Sequence, residues 1–147
     1  MRKLYFLFGI IFIISSILFG CGTSPSSITN KNEGEFKPSV TVQKDEKLEI
    51  IADKLMNEYL NHYTENNIKE VDKIKAFKID DIKVQKKDKD GFVFAVSFSV
   101  EPVAKDSYWF DSNGTIKDDG WVYGKFFFVT VKQNGNTYTM TEWGTGR

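Results

Sequence analysis

The chain has 147 residues, with 20 basic and 20 acidic side chains, one His and one Cys. That length suits one domain. The charge balance excludes the concentrated basic surface that nucleic acid or a polybasic grip on anionic lipid requires, and a lone Cys excludes an intrachain disulfide or a multi-cysteine metal site. Aromatic residues make up 15% of the chain, so even a domain of roughly 100 residues has large side chains with which to build a core.

Met1-Arg2-Lys3 is a short positive segment, and Leu4 to Phe19 is apolar except for Gly9, Ser15 and Ser16. This run is shorter than the about 20 residues of a stable span, and no basic flank follows it before Lys31. It ends in Leu18-Phe19-Gly20-Cys21, which resembles the lipobox of bacterial lipoproteins: an apolar residue, a free position, a small residue and the acceptor Cys. The resemblance covers the first 21 residues. It implies a signal peptide over 1–20, cleavage after Gly20, diacylglycerol on the Cys21 thiol and anchoring at the extracytoplasmic face of the cell membrane. Two acyl chains hold a protein stably where one is marginal. The competing reading is a plain signal anchor with an incidental Cys. Cleavage would remove Arg2 and Lys3 and no acid, leaving 18 basic against 20 acidic residues. Gly22 stands where inner-membrane retention signals carry Asp, and the Lys, Asn, Ile and Phe bias points to an AT-rich, Gram-positive source.

Residues 22–44 are rich in Ser, Thr, Asn, Lys, Glu and Gly, with Pro25 and Pro38. Such a composition predicts a disordered tether, with a mean reach of roughly 25–30 Å. Phe36 and Val40 are the apolar residues near its end, and they are read as undocked.

The folded domain is expected over 45–147. Asp45 is a plausible N-cap with Glu46 in the first turn. Leu48, Ile51, Ala52, Leu55, Met56, Tyr59, Leu60 and Tyr63 recur at helical spacing, which predicts one long helix of about 19 residues, stopped at Asn66-Asn67. Strands follow. Phe77 and Ile79, then Ile82 and Val84, alternate with polar residues, and the slip at Asp80-Asp81 predicts a bulge. Asp90-Gly91 is read as a hairpin turn pair. Phe92, Phe94, Val96, Phe98 and Val100 share one strand face, and Pro102 marks the end. A long loop runs from Ala104 to Gly120. Trp121 to Gln133 is a strand with both faces partly apolar, Trp121, Tyr123, Phe127, Val129 and Val131 against Val122, Phe126 and Phe128. Asn134-Gly135-Asn136 is a turn, and Thr137 to Trp143 is the last strand.

These elements predict an α+β domain in which one long N-terminal helix packs on a curved antiparallel sheet of about four strands. Helix-then-sheet order, Val100-Glu101-Pro102, the Gly120-Trp121 lead-in and the closing Trp143-Gly144-Thr145-Gly146 resemble the NTF2-like and cystatin-like folds. Small lipoproteins of this kind are common on Gram-positive cells. The NTF2-like fold hosts enzymes that use an Asp base and a Tyr acid in its cone, and no such pair is matched here residue by residue.

Loop aromatics are the strongest binding signal: Tyr108, Trp109, Phe110, Trp121 and Tyr123. They either line a cleft for a peptide, glycan or apolar ligand, or lid the open end of the sheet. His62, the sole His, reads better as a helix-end residue complementing the dipole than as a general base. Asp111, Asn113, Thr115, Asp118 and Asp119 resemble a calcium loop at a glance, but Ile116 and Val122 stand where the EF-hand needs Gly and Glu. Asp80, Asp81, Glu101 and Glu142 are strand carboxylates, which do acid-base work only if two point into an apolar interior.

Taken together, these signals point to a lipid-anchored, non-catalytic binding module. It would need no metal or cofactor and would take an envelope protein, peptide or glycan as partner. The alternatives are a small enzyme using carboxylate and Tyr chemistry, and an accessory subunit of an envelope complex. Metabolic labelling with a fatty acid is expected to mark the wild type and leave Cys21→Ala unlabelled; equal labelling overturns the lipobox reading.

Overall fold

The computed structural model of the chain describes residues 36–111 and 113–146. The expected signal peptide and lipobox, Cys21, and residues 22–35 of the expected tether lie outside the described residues. The element order is β1 (Ser39–Thr41), α1 (Leu48–His62), β2 (Ile74–Asp88), β3 (Gly91–Pro102), a one-turn 3-10 helix (Tyr108–Phe110), β4 (Thr115–Ile116), β5 (Val122–Asn134) and β6 (Thr137–Gly144). The strands form one antiparallel sheet in the order β1-β6-β5-β3-β2, with β4 paired to β5. The fold is α+β: the sheet curls strongly into a half-barrel around the single helix.

Helix α1 is amphipathic for the reason its spacing predicts. Ile51, Ala52, Leu55, Met56, Tyr59 and Leu60 are buried, while the other sides carry charge. At 15 residues it is shorter than the 19 expected. Asp45 does not cap it. Asp45 has a positive φ of 70° in the preceding turn, and Lys47 occupies the N-cap position without a side-chain bond. The helix ends before Asn66-Asn67, because the Thr64 hydroxyl and amide both turn back onto the Asn61 carbonyl. The Ile74 amide then donates to the Tyr63 carbonyl, which ties the start of β2 to the helix end.

The inner sheet face is an apolar row from every long strand. Phe94, Val96, Phe98, Val100, Val122, Val129 and Val131 are at most 2% exposed, and with the helix they form the core. Each such side chain contributes roughly 1.5–3 kcal/mol when fully removed from water. The bulge expected at Asp80-Asp81 is present as a register shift between Ile79 and Asp81, and it keeps Phe77, Ile79, Ile82 and Val84 all packed on the core.

The sheet has six strands where about four were expected. Both additions are short and polar. β4 has two residues, and β1 lies inside the segment expected to be a free tether. Ser39–Thr41 pairs with β6 and is fastened by Ser39–Thr139 and Thr41–Thr137 hydroxyl bonds of 2.9 and 3.0 Å. Phe36 stacks on His62 at 4.0 Å, and both Phe36 and Val40 pack on the core. Docking therefore begins by residue 36, not at 45.

The β2–β3 turn is Lys89-Asp90, one residue earlier than expected, and Gly91 opens β3. Gly91 has φ 150°, and a Cβ there would lie 1.9 Å from the Val131 carbonyl oxygen of β5. Backbone on backbone leaves no flexible atom to give way. Gly91→Ala is expected to lower stability by roughly 2 kcal/mol or more, read as a lower urea midpoint; an unchanged midpoint would contradict this close approach.

Candidate functional site

One glycine decides which side chains meet at the mouth of the half-barrel. Gly124 has φ 67° and sits at a register shift between the Phe98–Lys125 and Val100–Val122 pairs. The extra residue re-phases β5. Val122 points inward, and so do Lys125, Phe127, Val129 and Val131 beyond the bulge. Trp121 and Tyr123 are thereby turned to the outer face, with Phe126 and Phe128. The expectation that Trp121 and Tyr123 share a face with Phe127 and Val129 is corrected by this bulge. Ser99 sits opposite it, buried; its hydroxyl accepts from the Gly124 amide at 3.3 Å and donates to Asp80 at 2.7 Å.

Lys125 is the charged residue that the bulge carries inside. It is 2% exposed, and its Nζ donates to the carbonyls of Trp109, Asp111 and Asn113 at 2.9, 3.0 and 3.1 Å. Burying an ammonium is costly unless its donors are satisfied, and here the satisfying groups are the backbone of the loop after β3. Burial pushes the Lys125 ammonium below the usual lysine range, and the Asp111 carboxylate opposes that shift. The neighbouring Phe126 grips the same loop from the strand edge. Its amide donates to Asn113 Oδ1 at 2.8 Å and its carbonyl accepts from Asn113 Nδ2 at 2.7 Å. One Asn side chain thus takes the place of a strand residue between β6 and β4.

The loop so fastened presents Tyr108–Phe110. Ser107 caps the 3-10 turn, accepting from the Trp109 amide and donating to the Val71 carbonyl at 2.7 Å. Trp109 is 9% exposed, and its Nε1 donates to the Asp72 carbonyl at 2.5 Å. Its ring meets Tyr63 at 5.3 Å and Phe98 at 6.3 Å. From Tyr63 the contacts continue through Tyr59 and Trp143 to Phe127, which stacks back on Phe98. The result is a closed circuit of aromatic rings around the mouth. A cleft of about 210 Å³ opens inside it, lined by Tyr59, Tyr63, Trp109, Phe127 and Trp143, with Lys125 among its lining residues and Asp72 and Tyr108 beside them.

The five aromatics singled out from the sequence therefore do not converge. Trp109 is a core residue and lid, Phe110 packs on the core, and Tyr108 is 53% exposed beside the cleft. Trp121 and Tyr123 lie against each other on the opposite face at 6.0 Å. There the Tyr123 hydroxyl donates to Asp119 at 2.8 Å, and the Trp121 amide donates to the same carboxylate at 3.0 Å. The Trp121 amide bond first, and then the Tyr123 bond, hold Asp119 below the usual carboxylate range, and the bond to Asp119 raises the Tyr123 phenol. Lys117 Nζ stands 4.2 Å over the Tyr123 ring. The side chains of Asn113 and Asp119 are thus committed to structure, and among the described residues no group of three His, Cys, Asp or Glu comes together that could hold a metal ion. His62 stacks on Phe36, meets Tyr63 edge-on and lies 3.7 Å from Glu65.

Sequence reasoning missed Tyr59, Tyr63, Phe127, Trp143 and Lys125 as a group. A single signal was available: a Gly inside a strand pattern marks a bulge, and here it re-phases everything before it. Two wider depressions flank residues 42–48; most of their lining is exposed polar and charged side chains. No family model, curated protein or solved structure matches the chain. The site is read from its own geometry.

Lys125→Met is expected to lower stability by roughly 3 kcal/mol, because the loop carbonyls lose their donor. The depressed folded pKa adds a pH signature. The unfolded lysine holds its proton up to about 10.5, so the unfolded state binds more protons between the folded value and 10.5. Stability from this group is lost as pH falls through the folded pKa and is fully present above 10.5. Denaturation at rising alkaline pH should therefore move the difference between wild type and Lys125→Met in favour of the wild type; a flat difference contradicts the burial of the charge.

Proposed function

We propose that the chain is a bacterial lipoprotein, anchored through lipid on Cys21 at the extracytoplasmic face of the cell membrane. Its folded unit serves as a non-catalytic binding module that receives part of an envelope protein, peptide or glycan in the aromatic cleft. The observation that carries the binding reading is the cleft itself. Aromatic walls gathered from α1, the 3-10 turn, β5 and β6 border an open cleft of about 210 Å³ at the mouth of the half-barrel, and concave aromatic surfaces with a few polar groups are where small ligands bind. The lipobox pattern Leu18-Phe19-Gly20-Cys21 supports the location. Among the described residues no helix is long and apolar enough to cross a membrane. A single helix in a curled sheet also fits an NTF2-like or cystatin-like domain.

The acid-base alternative would need two of the strand carboxylates Asp80, Asp81, Glu101 and Glu142 to point into the half-barrel. Its interior is filled by Phe and Val side chains, and Lys125 is the one buried charged residue among those described. Asp80, Asp81 and Glu101 instead pair with Lys78, Lys83 and Lys75 at 3.1, 3.5 and 2.9 Å, and Glu142 is exposed. Such pairs contribute about 0–1 kcal/mol each and guard the sheet surface. The accessory-subunit reading draws support from Phe126, 40% exposed on the outer face beside Phe128.

Tyr108 is the residue to vary, because it borders the cleft while half of it lies in solvent. Trp109 is unsuitable, since its ring belongs to the core. Tyr108→Arg should keep the wild-type melting temperature and lose the envelope material that wild-type protein retains in pull-downs. Equal retention by both proteins removes the cleft from the binding reading.

A further inference from the structure

We propose that the ligand of the aromatic cleft is a neutral saccharide, with one sugar ring seated among the aromatic walls. The proposal rests on the reading of the cleft as the binding site and names the chemistry it selects.

Charge comes first. Lys125 lines the cleft, yet its Nζ is committed to the carbonyls of Trp109, Asp111 and Asn113. It therefore offers no donor to an anionic group. Asp72 also lines the cleft, half-buried, and its negative charge disfavours anions. A cation is drawn by Asp72 and by the aromatic faces and repelled by the Lys125 ammonium in the same wall, so the two charged lining residues offset each other. The field inside the cleft thus favours a ligand without net charge.

Shape and polarity narrow the class. Tyr63 and Trp143 are partly exposed aromatic rings in one small cleft, with Phe127 held between Phe98 and Trp143 behind them. Such faces take the C–H face of a pyranose, which is apolar above and below its plane. The rim supplies what the equatorial hydroxyls need: Asp72 as acceptor and the Tyr108 hydroxyl as donor and acceptor. A purely apolar ligand would leave both polar groups facing it without use. The cleft is also preformed, since Trp109 Nε1 is bound to the Asp72 carbonyl and Ser107 to that of Val71. A rigid site loses little entropy on binding.

The chain has three Trp residues, at 109, 121 and 143, and they report on different surfaces. Trp109 and Trp143 line the cleft, while Trp121 lies on the outer face. The full chain, labelled with fluorotryptophan and held in lipid nanodiscs, is titrated with chitotriose, cellotriose and maltotriose and followed by fluorine NMR. Benzyl alcohol and a polyglutamate peptide serve as apolar and anionic probes. We expect at least one neutral trisaccharide to shift the Trp109 and Trp143 signals with Trp121 unmoved. Tyr108→Ala is expected to weaken that binding about threefold to tenfold. Shifts with benzyl alcohol or the peptide but with no saccharide overturn the saccharide and leave the binding cleft standing. Shifts confined to Trp121 place recognition on the outer face and overturn both, as does silence of all three signals with every probe.

Discussion

A lysine ammonium can be held among aromatic rings only if its donors find acceptors as good as water. In this protein that requirement organises the whole mouth of the half-barrel. The acceptors for Lys125 are the carbonyls of Trp109, Asp111 and Asn113, so the loop after β3 must fold over the strand end to supply them. Once it does, the Trp109 ring drops onto Tyr63 and Phe98, and its Nε1 reaches the Asp72 carbonyl. The charge of Lys125 is thus a positioning device for the lid. A methylene chain of the same length would pack there but would orient nothing.

The same loop solves a second problem. Strand β5 is longer than either neighbour on its β6 side, so part of its edge would face water with unpaired amides. β6 covers the stretch from Phe128 to Asn134, and β4 covers Val122 and Tyr123. Between them the Asn113 side chain bonds both backbone groups of Phe126. Lys125 from the inside and Phe126 at the edge therefore hold one loop by two independent sets of bonds. That is why the cleft can have a rigid wall although it is built from loop residues, and rigidity of this kind favours selective binding.

The two faces of the sheet divide the work. The inner face is packed with Phe and Val, and the aromatic cleft opens at the mouth, where α1 ends. The outer face carries paired lysines and carboxylates on β2 and β3 and an aromatic patch on β5. Ser39–Thr41 closes the β6 edge of the sheet, at the far end of the strand order from β2.

The sequence by itself determined what rests on periodicity and composition. Helical spacing located α1, strict alternation located the inner faces of β2 and β3, and the slip at Asp80-Asp81 located a bulge, because burial demands a repeat of 3.6 or 2 and any break shows. The resemblance of Leu18-Phe19-Gly20-Cys21 to a lipobox is equally local. Tertiary structure decided the rest, for reasons that no local pattern contains. Ser39–Thr41 is a strand only because β6 offers it an edge. The helix ends at His62 because Thr64 turns onto Asn61. Above all, a positive φ at Gly124 sends Trp121 and Tyr123 outward and leaves Lys125 inward. An aromatic cluster that looks continuous in the chain is thereby split between two faces. The cleft is assembled instead from Tyr59, Tyr63, Phe127 and Trp143, residues whose spacing reads only as core.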